Sequence, residues 1–109
     1  MRDFIFAIKS DLELKKPIDI RLSTRKSKLD GLYDPQYSDS GRLKSHLITI
    51  WLDIDNSRDI ETLIAHELIH AWQEENKCED IHGKPFQDWA DYLSLKYNLP
   101  DIYLPDVDE

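Results

Sequence analysis

Three residues of this 109-residue chain have types and a spacing that could do chemistry together: His66, Glu67 and His70. Around them stand Ile60, Leu63, Ile64, Ala65, Leu68, Ile69, Ala71 and Trp72. At about 100° per residue these apolar side chains cover most directions of a helix from Ile60 to about Gln73, which must therefore run through the centre of a domain. Three polar residues buried there without partners would be costly, so something must compensate them. Histidines at i and i+4 project from one face about 6 Å apart along the axis, and their ring nitrogens can converge on one ion. Glu67 sits roughly 100° round from His66, beside such an ion and not on it, where a general base for a metal-activated water belongs.

A catalytic zinc takes three protein ligands and keeps one position open, so a further ligand must come from elsewhere in the chain. Glu74 continues the i+4 series, yet it lies roughly 9 Å along the axis from an ion midway between the two histidines. Glu79 and Asp80 could reach from the following loop but would leave His82 unexplained. His82 is better placed, between two helices where the chain folds back, with Gly83 to permit the turn and Pro85 to start the next helix. The expected site is thus zinc held by His66, His70 and His82, with Glu67 catalytic. His46 has no comparable context and is expected to end a strand in solvent.

The elements that must position these residues follow from periodicity. Residues 3 to 14 place Phe4, Ile5, Ala7, Ile8, Leu12 and Leu14 at helical spacings, predicting an amphipathic helix stopped before Pro17. Ile18, Ile20 and Leu22 alternate with polar residues and predict a half-buried strand over 18–22. The stretch from Ser23 to Lys44, rich in Ser, Asp and Gly with Asp34-Pro35 inside it, reads as turns or a hairpin in which Leu32 and Tyr33 belong to a short strand. Residues 46–54 carry β-branched and aromatic residues and give the clearest strand signal. Asn56 or Ser57 can cap the helix that follows, with Asp59 and Glu61 adding charge suited to its positive end. A last helix begins near Pro85 and buries Phe86, Trp89, Ala90, Leu93 and Tyr97. The fold class expected is α+β: N-terminal helix, small sheet, central helix and C-terminal helix in one domain over 1–109, with 98–109 an acidic tail.

Composition bounds the rest. The chain suits a single folded domain, with 40% hydrophobic and 33% charged residues. No apolar run nears the roughly 18 to 20 residues of a membrane span, and Asp3 interrupts any secretory signal. The expectation is an intracellular, cytoplasmic protein, with nucleoid or nuclear association as a variant. Cys78 is the single cysteine and reads as an ordinary loop or core thiol, so packing or metal must hold the domain together. Through residue 45 the chain holds ten Lys and Arg against seven Asp and Glu, and from residue 46 four against fifteen, which gives the net charge of −8. The half bearing the motif is therefore acidic, which argues against tight nucleic-acid binding through the site itself. Arg21, Arg25, Lys26 and Lys28 form one basic cluster that could touch phosphate, although a solvated loop is the commoner meaning of such a run.

The residues His66-Glu67-Leu68-Ile69-His70-Ala71-Trp72, a polar loop, and then His82-Gly83-Lys84-Pro85-Phe86 resemble the SprT-like, or Spartan-type, zinc metallopeptidases. In that family the helix bears two histidines and the catalytic Glu, and a later His, followed by Gly and then Phe, supplies the third zinc ligand. The matching positions here are His66, Glu67, His70, His82, Gly83 and Phe86. The likeness covers residues 46–97, and it implies a minimal zincin-like domain that hydrolyses proteins, with DNA-crosslinked proteins as the substrates of the Spartan branch. The Cys-rich zinc ribbon of many relatives has no counterpart in this sequence.

The expected chemistry is endopeptidase hydrolysis, in which Glu67 takes a proton from a zinc-activated water and delivers it to the leaving amine. Tyr33, Tyr37 and Tyr92 are nameable as donors to the polarised carbonyl, and the strand at 46–54 could offer its edge to an extended substrate. Two rivals stand beside this: a zinc-stabilised protein-binding module, and a regulatory peptidase specific for one repressor. The acidic tail, with Ile102, Tyr103, Leu104 and Val107 interleaved, could pack on the domain, extend from it, or lie in the cleft.

Overall fold

Apolar residues on every side make the helix Ile60–Glu75 the axis of the protein. In the computed structural model, residues 2–23, 31–51, 60–99 and 102 are described. They form α1 (Arg2–Asp11), β1 (Ile18–Ser23), β2 (Gly31–Tyr37), β3 (Leu43–Trp51), α2 (Ile60–Glu75) and α3 (Lys84–Tyr97). The architecture is α+β, with three helices and one three-stranded sheet among the described residues. Every residue of α2 from Thr62 to Ala71 is buried. Its neighbours in the core are Ile8 of α1, Ile48 and Ile50 of β3, and Phe86, Ala90 and Leu93 of α3. None of the described helices is long and apolar enough to cross a membrane.

The strand order is β1-β3-β2. β1 runs parallel to β3, with Ile18 opposite His46 and Ile20 opposite Ile48. β2 runs antiparallel to β3, from Gly31 opposite Ile50 to Pro35 opposite His46. β3 thus has a neighbour on each side and no edge left to offer. The expectation of substrate pairing along 46–54 is corrected accordingly, because its backbone groups are already spent on the ladder. His46, Ile48 and Ile50 turn to the buried face of β3, while Ser45, Leu47 and Thr49 are only half-buried on the other.

β2 is longer than the short strand expected around Leu32 and Tyr33, because it runs on through Asp34-Pro35 to Tyr37. A proline is admissible there since β2 is an edge strand and needs no donor on its outer side. The reversal comes at 38–42 instead, where Ser38 N–H donates to the Arg42 carbonyl at 2.8 Å and Gly41 N–H to the Ser38 carbonyl at 2.9 Å. Gly41 has φ +83°, the left-handed conformation that a glycine adopts at least cost. Residues 52–54 of the expected strand lie outside the described residues, as do the proposed caps Asn56, Ser57 and Asp59.

All three helices end alike. Glu13, Lys77 and Asn98 have φ values of 54°, 55° and 55°. Beyond each, an N–H reaches back five residues: Leu14 to Lys9, Cys78 to Gln73 and Leu99 to Ser94, at 2.8 to 3.0 Å. This is the Schellman closure, which satisfies the last carbonyls of a helix and turns the chain inward. It stops α1 at Asp11, ahead of the position expected from Pro17, and sends Leu12 and Leu14 into the core. Asp11 then ties α1 to α3 through Lys96 Nζ at 2.7 Å and Tyr97 Oη at 2.5 Å.

Lys77 is exposed and holds the left-handed conformation at a steric cost of roughly 1 to 2 kcal/mol for a residue with Cβ. Lys77→Gly is expected to raise stability by about 0.5 to 1 kcal/mol in urea denaturation, after the greater backbone freedom of unfolded glycine is subtracted. An unchanged or lower midpoint would show that the Lys77 side chain contributes more than its backbone costs.

Candidate metal centre

His66 and His70 lie one turn apart on the buried face of α2, and His82 enters from the turn that precedes α3. One ring nitrogen of each lies within 4.8 Å of the others. The chain thus brings together the three histidines that the sequence singles out. The rings surround Phe86, whose centroid is 4.8 Å from His66, 4.9 Å from His70 and 5.2 Å from His82. Phe86 is fully buried and stands in the first turn of α3, so its ring is the surface against which the imidazoles are packed.

Hydrogen bonds settle which nitrogen of each helix histidine carries its proton. His66 Nδ1 is 2.9 Å from the Ile102 carbonyl, which can only accept, so Nδ1 is the donor. For His70 the chain of inference has one more link. Gln73 Nε2 donates to the Asp80 carbonyl at 2.9 Å, which turns the amide oxygen of Gln73 toward His70. His70 Nδ1 therefore donates to that oxygen at 2.8 Å. In neutral rings both Nε2 atoms then carry lone pairs, and they face each other at 3.2 Å. Two ligands at about 2.05 Å from zinc, at the tetrahedral angle, would be about 3.3 Å apart. The donor set and its spacing fit zinc, with one ring nitrogen of each of three histidines within 4.8 Å of the others. Ile102 and Gln73 supply the outer hydrogen bonds that hold metal-ligating histidines in one tautomer.

Glu67 is fully buried and lies against β2. A Cβ on Gly31 would come within 2.8 Å of Glu67 Oε2 and 3.3 Å of Ile50 Cδ1. The missing side chain of Gly31 is thus what makes room for the carboxylate. Gly83 does not play the part expected: its φ of −82° is open to any residue. A Cβ there would meet only the end of the exposed Asp80 side chain, so neither backbone freedom nor fixed space demands glycine at this position.

His46 requires a correction. It is fully buried, with Nε2 2.7 Å from Glu75 Oε2 and Nδ1 2.7 Å from Tyr33 Oη. Its strand continues on both sides from 43 to 51, and the even-numbered face of that strand is the one that meets α2, which is why it does not end in solvent. Burial by itself would raise the Glu75 carboxyl. The His46 hydrogen bond and the backbone N–H groups of Lys15 and Lys16 outweigh it and hold Glu75 below the ordinary carboxylate range. Glu74, set aside as a ligand, hydrogen bonds with Tyr37. Tyr33 lines a hollow of about 210 Å³ together with Pro35, His70, Gln73 and Glu74. Burial, with nearby carboxylates adding to it, pushes the Tyr33 phenol well above its usual value and keeps it neutral. Tyr92 instead packs edge-on against Trp89, 5.7 Å between centroids, and is 47% exposed.

Neither Glu79 nor Asp80 joins the histidine cluster. Arg21 is exposed on β1, whereas Arg25, Lys26 and Lys28 lie outside the described residues, as does the tail apart from Asn98, Leu99 and Ile102. Ile102 is buried, which brings the start of the tail onto the domain. Sequence reasoning missed Gln73, Gly31 and the Tyr33–His46–Glu75 network. The only advance signal was a polar residue, Gln73, three positions after His70. Compared with family models, curated proteins and solved structures, the chain matches none.

Gln73→Ala should weaken metal binding about 10- to 100-fold in chelator competition, as loss of such an outer hydrogen bond does elsewhere. An unchanged affinity would remove Gln73 from the site. A second expectation concerns acid. Because the folded-state pKa of Glu75 is depressed, its contribution to stability is present above its ordinary value of 4.5 and is lost as pH falls through the lower folded value. Glu75→Gln should flatten that part of the stability curve below about pH 4.5 in denaturation measured from pH 3 to 7. An equally steep acid limb would assign the loss to other carboxylates.

Proposed function

We propose that this protein is a zinc-dependent endopeptidase of the SprT-like kind, built on a minimal zincin-like domain. The observation that carries the proposal is the convergence of His66, His70 and His82, one ring nitrogen of each within 4.8 Å of the others, beside the buried Glu67 carboxylate of the same helix. His66, His70 and His82 would hold the ion. Zinc, when bound, supplies Lewis-acid activation of water and of the substrate carbonyl at neutral pH.

The chain's own residues do the rest. Glu67, packed against Gly31, accepts the proton of the attacking water at a carboxylate oxygen and returns it to the leaving nitrogen. Phe86 and the apolar walls of α2 and β3 exclude bulk water and so strengthen the electrostatic interactions inside. Ile102 and Gln73 keep two imidazoles in the tautomer that points Nε2 inward. Proteins or peptides are the proposed substrates, and the link to DNA-associated proteins rests on the family resemblance alone.

The full burial of His66 and Glu67 is also what a metal staple in a binding module would have, so the test must separate the two readings. Wild type should bind one zinc, and His82→Ala should lose it. Glu67→Gln should keep the zinc and lose casein cleavage by about 10²- to 10⁴-fold, the usual worth of a general base. Retained cleavage in Glu67→Gln would remove Glu67 from catalysis. Absence of cleavage in zinc-loaded wild type, with and without single-stranded DNA, would leave the binding module.

A further inference from the structure

The hollow beside His70 is bounded by polar groups whose protons can be followed one by one. Glu75 is held as a carboxylate and can only accept, so His46 Nε2 carries a hydrogen and donates to it. In a neutral imidazole the other nitrogen is then bare. With His46 neutral, Nδ1 accepts, and the partner at 2.7 Å is the Tyr33 hydroxyl, which then donates its only hydrogen into the protein. Tyr37, at the end of the same strand, donates its hydroxyl to Glu74. The Gln73 amide donates to the Asp80 carbonyl, and His70 Nδ1 to Gln73. The strong donors around the hollow are thus turned inward, and what Tyr33 and Glu74 keep for a ligand are acceptor lone pairs.

We infer that Tyr33 is a substrate-binding residue whose phenolic oxygen accepts a hydrogen bond from a backbone N–H of the bound peptide, with His46 and Glu75 as positioning residues that dictate this polarity. The inference deepens the proposed peptidase reading and rests on it for the identity of the ligand. It runs against the simpler idea of Tyr33 as a donor to the polarised carbonyl, because its hydrogen is already committed to His46. A peptide backbone brings the donors that this hollow lacks. The Glu74 carboxylate adds a place for a basic side chain or an amine.

The two roles predict different kinetics. An acceptor of a substrate N–H holds ground state and transition state alike, so its loss appears in KM; loss of an oxyanion donor appears in kcat. With the zinc-loaded protein and a short casein-derived peptide, Tyr33→Phe is expected to raise KM about 3- to 10-fold and to alter kcat by less than about twofold. A series of the same peptide, with one amide N–H at a time replaced by an ester oxygen, locates the partner. At one position the ester should weaken binding to wild type by the same factor and cost nothing further in Tyr33→Phe.

Binding of the labelled peptide to zinc-loaded Glu67→Gln, with and without Tyr33→Phe, reads the same contact without turnover. Peptide affinity that depends on Tyr33 in a protein that never cleaves would sink the peptidase reading and keep this one. Cleavage by wild type with KM and affinity indifferent to Tyr33→Phe, and with no coupled ester position, would sink this one and keep the peptidase. A fall in kcat of about 100-fold at constant KM would reverse the polarity assigned to Tyr33 and overturn the inference.

Discussion

Two imidazole orientations, with Nε2 facing Nε2 at 3.2 Å inside an apolar core, are what the surrounding structure must create. They are created by hydrogen bonds from the far sides of the rings, to the Ile102 carbonyl and to Gln73, whose own orientation is set by Asp80. The His82 ring stands beside them, with one ring nitrogen of each of the three histidines within 4.8 Å of the others. Much of the local architecture follows. α2 is buried from Thr62 to Ala71 so that the site lies at the centre of the molecule, and Phe86 spaces the three rings from below. The Schellman turn after α2 and the short reversal into α3 bring His82 back over its partners.

β2 is the second organising element. Residues two apart on one face of a strand meet successive parts of the facing helix. Gly31 leaves room for the Glu67 carboxylate, Tyr33 reaches the hollow beside His70, and Tyr37 reaches Glu74. A single strand thus touches the proposed base, the wall beside a proposed ligand and the end of the helix. His46 lies behind it on β3 and joins this strand to Glu75, which also caps the chain at Lys15 and Lys16. The network is at once a structural clasp between α1, the sheet and α2 and the device that sets the direction of the Tyr33 proton.

Much was legible in the residues alone. The α+β order of elements, the central helix and the three histidines follow from periodicity and from the energetic oddity of polar residues in an apolar helix. Local chemistry decides such features, because a helix repeats every 3.6 residues wherever it finds itself. The bounds of β2 were not legible, since Asp34-Pro35 is ordinary turn chemistry and becomes strand only when the chain lies on a sheet edge. Nor was the central place of β3: a run of β-branched residues does not say who lies on either side.

What the sequence by itself determined is which side chains could do chemistry and on what kind of element each would sit, because residue type and spacing along one helix act at short range. Tertiary structure alone decided the direction of each proton and the room around each group. His46 is a buried relay and not a strand end, Gln73 orients His70, and Gly31 admits Glu67, since each depends on an atom supplied by a distant part of the chain. A hydrogen bond has a donor end and an acceptor end, and only the partner found in space settles which is which.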